Sequence, residues 1–312
     1  MSNWRPASNA DVAIKRAAML ARTRLYFDKE NVLAVDTPAL SPSAPTDPHI
    51  ASMATGQSAY LHTSPEFHMK RLLADGYPDI YTICRVFRDG EKGRQHLPEF
   101  TMIEWYRLAT NLDGIIADTL QMIAFVLERT DLANNASRRD YCDCFVDELQ
   151  IDSRTASIQD LAEVVAADEQ LRRSLGDDRD AWLDLIMATR IVPQFSPSSL
   201  TVVKHYPASQ AALARNCPHD ARLADRFEIY YGEIELANGY VELRDTKELL
   251  RRMDNDLEIR RKLGLPTVPR DEHLIAAMDA GLPECAGVAL GFERLHMVAA
   301  GVNDIRNIVS FA

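Results

Sequence analysis

The stretch FTMIEWYR, residues 100–107, carries a carboxylate where a strand would bury it. Side chains two apart on a strand share a face. Phe100, Met102, Glu104 and Tyr106 therefore point one way, and Thr101, Ile103, Trp105 and Arg107 the other. Both faces are largely apolar, which predicts a central strand with Glu104 buried. A buried carboxylate without a partner is costly, so either an internal arginine neutralises it or a ligand cation or metal does. Strand spacing leaves both open. GEIELANGYVEL, residues 232–243, repeats the theme with Glu233, Glu235, Asn238 and Glu242 among apolar neighbours. Asn238-Gly239 reads as a turn on its own. If the strand continues, Leu236, Asn238, Tyr240 and Glu242 share a face. Carboxylate oxygens beside an amide oxygen suit a hard divalent ion such as Mg²⁺. Glu66, in the first turn of a predicted helix in TSPEFHMKRLL, has a simpler reading as a charge favoured by the helix dipole.

Against these acids stand two arginines in apolar settings. Arg88 opens the loop FRDGEKGRQHLPEF, residues 87–100, and Arg294 lies in GFERL. A guanidinium fork matches phosphate oxygens, and two of them at one phosphorus would stabilise charge in nucleotidyl transfer. A structural salt bridge is the alternative for each.

The elements that must position these residues follow from periodicity and breakers. A helix is expected over residues 9–29, capped by Ser8 or Asn9, then a short strand in NVLAVDTP that stops at Pro38. A Pro- and Ser-rich loop leads to a strand near residues 59–62 and a helix with Pro65 at its first position. The strands YTICRVFR and FTMIEWYR flank the charged loop, and residues 111–130 read as helix. Residues 137–200 are acidic, mostly helical and without clear site motifs, an expected insertion within a single domain spanning 1–312. Strands return in LTVVKHY, in RFEIYYGEIELANGYVEL with a turn near Gly232, and in GVALGFERL, with a long helix over 246–263 between the last two. Hairpins flanked by helices predict an α+β fold built on an antiparallel sheet.

Composition narrows the function. The 312 residues are 46% hydrophobic and 26% charged, as in a soluble globular enzyme, and the formal net charge is −11. The basic residues at 251–262 are interrupted by acids, which argues for a solvated helix face and against a nucleic-acid stripe. No apolar run reaches membrane-helix length and no signal-peptide core is present, so the cytoplasm is expected. Cys84, Cys142, Cys144, Cys217 and Cys285 are odd in number and scattered. They read as reduced thiols used as small hydrophobes, and CxC at 142–144 lacks a second pair for zinc.

Together these pieces resemble the class II aminoacyl-tRNA synthetases. The 87–100 stretch resembles motif 2, GVALGFERL motif 3, and NVLAVDTP motif 1, whose proline lies at a dimer interface. TSPEFHMKRLL, HLPEFTMIEWY and IELANGYVEL resemble the lysyl branch. Motif 1 begins near residue 31, leaving room ahead of it for one helix and no anticodon-binding domain. That shape, with YPASQ at 206–210 and CAGVALG at 285–291, resembles truncated lysyl-tRNA synthetase paralogues that act on a protein. The resemblance implies an ATP-dependent ligase joining (R)-β-lysine to a lysine of elongation factor P. It implies no stable tRNA or membrane binding, and a homodimer. It assigns ATP to Arg88, His96, Phe100, Glu235, Leu236, Asn238, Gly291 and Arg294, with Arg88 and Arg294 catalytic at the α-phosphate. Mg²⁺ falls to Glu235 and Asn238. The lysine-like substrate falls to Ser64, Pro65, Glu66, Glu104, Tyr106, Glu242 and Ala289, the alanine standing where lysyl synthetases commonly have glycine. Two positions depart from the pattern: Gly90 stands where the family has an adenine-contacting glutamate, with Glu91 one residue later, and Leu97 replaces an asparagine. A diverged enzyme loading another amino acid onto a carrier or small molecule, or a non-catalytic binding module, are the alternatives these departures leave.

Overall fold

The computed structural model describes residues 4–56 and 59–311. Helix α1, Ala10–Lys29, starts at Asn9, whose side chain accepts from the Val12 amide at 3.2 Å. Met19, Thr23, Tyr26 and Phe27 form its buried stripe, and the Phe27 ring stacks on Tyr81 at 4.2 Å. Strand β1, Leu33–Ala34, is followed by a small three-stranded sheet of β2 (Leu40–Ser41), β3 (Ala54–Thr55) and β4 (Ala59–Leu61). Helix α2 runs Glu66–Ala74, so Pro65 caps it from outside and does not occupy its first turn. Then come β5 (Ile80–Phe87), β6 (Glu99–Leu108), α3 (Leu112–Leu127) and α4 (Thr130–Asn134).

The stretch expected to be helical opens with a strand, β7 (Ser137–Asp140), that pairs in parallel with β8 (Leu200–Pro207) of the main sheet. Between them lie α5 (Tyr141–Leu149), α6 (Ile158–Val164), α7 (Glu169–Leu175) and α8 (Arg179–Ile186). Their buried Tyr141, Phe145, Trp182 and Ile186 pack onto Val203, Tyr206 and Tyr230 of the sheet. The chain continues through β9 (Asn216–Cys217), β10 (Asp220–Tyr231), β11 (Ile234–Val241), α9 (Thr246–Lys262), α10 (Glu272–Gly281), β12 (Cys285–Gly291) and α11 (Phe292–Ala300).

The main sheet orders its strands β1-β5-β6-β12-β11-β10-β8-β7, with β9 beside β10. Its middle is antiparallel, as expected; both ends, β1–β5 and β7–β8, are parallel, so the sheet is mixed. The fold is α+β with no anticodon-binding barrel among the described residues. One face is the main core, where Ile103, Trp105, Val241, Val288 and Leu290 meet α1, α3 and α11. The other face is covered at one end by the helices that bury Tyr206 and Tyr230 and at the other by α2, α9 and α10, and is open between them. There Phe100, Met102, Glu104 and Tyr106 line a cavity, which is the division of faces that strand periodicity predicts for β6.

Asn238-Gly239 is not a turn; both lie inside β11. A Cβ on Gly239 would sit 2.7 Å from the Gly287 carbonyl oxygen and from the Phe227 ring, so close packing of strands requires glycine there. The hairpin turn is at Gly232, with φ +54°.

Candidate active site

Neighbouring strands place the floor of the cavity in two rungs. Thr82, Glu104, Ala289, Asn238 and Glu228 lie opposite one another across β5, β6, β12, β11 and β10. Ile80, Tyr106, Gly287, Tyr240 and Arg226 form the next rung. Gly287 is required: a Cβ there would lie 2.4 Å from the Tyr106 ring and 2.8 Å from Glu242 Oε1. The cavity, about 1060 Å³, has room for a nucleotide and an amino acid together.

A bulge in β11 selects what faces it. Ile229 and Tyr230 are consecutive on β10, yet they pair with Ala237 and Glu235. Leu236 is the extra residue. Strict alternation would put Glu235 and Asn238 on opposite faces; the bulge lets both line the cavity. Leu236, expected on the face of Asn238, instead buries its side chain in the main core while bordering the cavity.

One end of the cavity is acidic. Glu104 is 2% exposed; Ser64 Oγ donates to its Oε2 at 2.7 Å and the Tyr106 hydroxyl to its Oε1 at 2.9 Å. Among the described residues no arginine pairs with it. Burial and then the nearby Glu66 charge push its pKa up to about 7. Glu66 and Glu242 are held differently, because Lys70, also 2% exposed, reaches both, with Nζ 2.7 Å from Glu66 Oε1 and 2.5 Å from Glu242 Oε2. Burial works against the Lys70 ammonium, but Glu242 and Glu66 outweigh it and raise its pKa above the ordinary lysine value. Burial likewise pushes the Glu242 carboxyl up, and Lys70 pulls it back. The Tyr240 hydroxyl donates to Glu66 Oε1 at 2.6 Å. Three carboxylates thus share one resident cation.

The other end carries the arginines. Arg294 donates from Nη1 to the Glu235 carbonyl (3.0 Å) and to Glu235 Oε2 (3.2 Å), and from Nη2 to His96 Nε2 at 2.7 Å. Burial and the Arg294 charge lower the His96 pKa, which keeps the imidazole neutral with Nε2 as acceptor. Arg88 lies over the Phe100 ring, 5.3 Å from its centroid, and pairs with Glu91 at 3.4 Å. Gly90, at φ +75°, makes the turn that carries Glu91 into the cavity wall, and Leu97 lines that wall too. Burial followed by Glu228 raises the Glu235 pKa. Glu228 is buried and accepts from the Tyr206 hydroxyl (2.7 Å), the Tyr230 hydroxyl, Arg226 Nη2 (2.5 Å) and Asn238 Nδ2 (3.0 Å). Glu235, Glu228 and the Asn238 carbonyl offer the hard oxygens that Mg²⁺ takes.

Of the residues singled out in the sequence, Ser64, Glu66, Arg88, His96, Phe100, Glu104, Tyr106, Glu235, Leu236, Asn238, Glu242, Ala289, Gly291 and Arg294 all line this cavity. Pro65 does not; it caps α2. Sequence reasoning missed Lys70, Glu228, Arg226, Tyr240 and Gly287. The signal for Lys70 was its place one turn after Glu66 on α2, and for Glu228 its alternation with Arg226 and Tyr230. Residues 137–200 also contribute a wall, through Asp180, Asp184 and Met187.

Comparison with known proteins identifies relatives along the whole chain. The family model for class II tRNA synthetases (D, K and N) matches residues 2–312. A protein of Klebsiella pneumoniae (strain 342) named elongation factor P–(R)-β-lysine ligase is 40% identical over 320 residues, covering 99% of this chain and 97% of the relative. Proteins of the same name from Edwardsiella ictaluri (39% over 322 residues; 100% and 98%) and Pseudoalteromonas translucida (40% over 320 residues; 99% and 97%) are similar to it as well.

Proposed function

The chain belongs to the class II tRNA synthetase family of the D, K and N type, and from that premise we propose that it is an ATP-dependent ligase for elongation factor P. It activates (R)-β-lysine as an adenylate and transfers the aminoacyl group to a lysine ε-amine of that factor. The observation that carries this reading is end-to-end similarity to relatives named for that activity, and the charge pattern of the cavity supports it. First, a carboxylate oxygen of the amino acid attacks the α-phosphorus of ATP and pyrophosphate leaves. The deprotonated ε-amine of the acceptor then attacks the adenylate carbonyl, an amide forms, AMP leaves with the bonding pair, and a proton is released. No side-chain nucleophile is required; positioning and electrostatics do the chemistry.

Arg88 and Arg294 hold the α-phosphate and absorb charge as it builds there. Neutral His96 meets the outer phosphates, Phe100 offers its ring to adenine, and Glu91 takes the adenine contact that Gly90 cannot make. Glu66, Glu104, Glu242 and Tyr106 receive the two ammonium groups of the substrate. Glu235, Asn238 and Glu228 hold Mg²⁺, which neutralises phosphate oxygens when bound. Ala289, flanked by Glu104 and Asn238, narrows the floor beneath the amino acid. The protein works in the cytoplasm as a homodimer, without stable tRNA binding. ATP–pyrophosphate exchange across a panel of amino acids with Mg²⁺ tests the reading. Preference for (R)-β-lysine over α-lysine is expected; exchange driven by another amino acid overturns the substrate, and silence across the panel overturns the activity.

A further inference from the structure

Outside the cavity, His205, Cys217 and Asp225 each offer one ligand atom, and the three atoms lie within 4.8 Å of one another. None of these residues lines the cavity. The sheet is reshaped locally to bring them together. Tyr206 pairs with Ala224 and Lys204 with Phe227, so His205 alone stands opposite both Asp225 and Arg226. That two-against-one step is a bulge, which re-aims side chains. His205 itself takes φ +58°, uncommon for a side-chain-bearing residue. Strand β9 folds against β10 with Asn216 opposite Ala224, and the Asp225 amide donates to the Arg215 carbonyl at 3.0 Å, which brings Cys217 alongside.

We propose that His205, Cys217 and Asp225 form a binding site for a borderline-soft divalent metal, Zn²⁺ by its ligand set. Imidazole, thiolate and carboxylate are the donors Zn²⁺ takes in tetrahedral sites, with water filling a fourth position. The outer contacts that orient such ligands are already in place. Asp140 Oδ1 lies 2.6 Å from His205 Nδ1, so Nδ1–H donates to the carboxylate and Nε2 keeps the lone pair a metal needs. Arg215 Nε donates to Asp225 Oδ2 at 2.7 Å and fixes that carboxylate. Binding releases the Cys217 thiol proton to solvent and joins β8, β9 and β10 through one ion, with β7 attached through the Asp140–His205 contact. Through His205, the ion therefore links the root of the helical stretch, at Asp140, to the hairpin of β9 and β10.

The test is a Co²⁺ titration of the metal-stripped full chain without Mg²⁺, followed by displacement with Zn²⁺. One equivalent of Co²⁺ is expected to give the ligand-field bands of a tetrahedral site and a thiolate charge-transfer band, both lost to Zn²⁺. Cys217→Ser should remove the charge-transfer band, and Asp140→Asn should weaken Zn²⁺ binding by about 10- to 100-fold, each with amino-acid-dependent exchange retained. If Cys217→Ser fails to fold, alkylation of Cys217 in the wild-type protein, read by mass spectrometry, should be suppressed by one equivalent of Zn²⁺. Absence of a saturable one-equivalent spectrum, an unchanged spectrum in Cys217→Ser, or unprotected alkylation would each overturn the site.

Discussion

Glu104 is the residue on which substrate selection and stability meet. In the unliganded protein it has only neutral donors, the Ser64 and Tyr106 hydroxyls, so its carboxyl holds a proton up to about pH 7. In the unfolded chain it releases that proton near its ordinary value of 4.5. Between those two pH values the folded state binds more protons, so this group stabilises the fold at acid pH and loses that contribution as pH rises through about 7. The loss amounts to about 3 kcal/mol. Urea denaturation at pH 5 and pH 8 should show this loss in the wild type, and Glu104→Gln should remove it. A pH dependence equal in both proteins would refute the assignment. Binding runs the other way, because only the carboxylate can pair with an ammonium. KM for the amino acid should therefore climb as pH falls below 7. Glu104→Gln should raise it about 10- to 100-fold at pH 8, with ATP affinity by calorimetry unchanged.

At the scale of elements, the register of β11 decides which charges the cavity sees. Leu236 is the extra residue that sends Glu235 to the same face as Asn238. Deleting Leu236 would leave Glu235 two positions from Asn238 and make the pairs Tyr230–Glu235 and Ile229–Ala237 consecutive, so plain alternation would keep both side chains on the cavity face. Exchange activity should therefore persist at low temperature, with stability reduced by the loss of the buried Leu236 side chain. Leu236→Ala keeps the register and leaves a cavity costing about 2–5 kcal/mol, so it should retain exchange at low temperature. Loss of exchange in the deletion alone would mean that the bulge itself, beyond the shared face, sets the position of Glu235. The same bulge marks where sequence reading ran out. Period-two alternation was enough to assign both faces of β6, because that strand is regular. It failed at Leu236, because a bulge depends on how two strands pair and leaves no trace in one strand's own pattern. At Asn238-Gly239 the sequence left a turn and a continuing strand both open, and what decides for the strand is distant in sequence: the Phe227 ring and the Gly287 carbonyl exclude any side chain at Gly239. Lys70 was hidden by the habit of placing lysine outside; only the three-dimensional meeting of Glu66 and Glu242 makes its burial affordable.

At the scale of the whole molecule, the net charge of −11 opposes a polyanion such as tRNA, while the apolar surface invites a second copy of the chain. Ile14 is 65% exposed and Leu25 45%, and they lie about three turns apart on α1, on one stripe. This stripe is distinct from the buried one that packs Met19, Tyr26 and Phe27 inward. The chain then enters β1, an edge strand whose Leu33 is also exposed, and reaches Leu40 at 54%. An apolar stripe joined to an open strand edge is what a protein covers by association. Leu33 lies in NVLAVDTP, the stretch that resembles motif 1, and the exposed residues of α1 lead directly into it, so the expected partner is an identical chain meeting it about a two-fold axis. Light scattering at micromolar concentration should give twice the chain mass. Ile14→Asp combined with Leu25→Asp should halve it, since each chain would carry two carboxylates into the buried interface. Because both side chains point away from the main core, the variant should keep its far-ultraviolet circular dichroism. A wild type already at the monomer mass would remove the dimer, and would leave Leu33 and Leu40 as isolated surface residues with no partner to explain them.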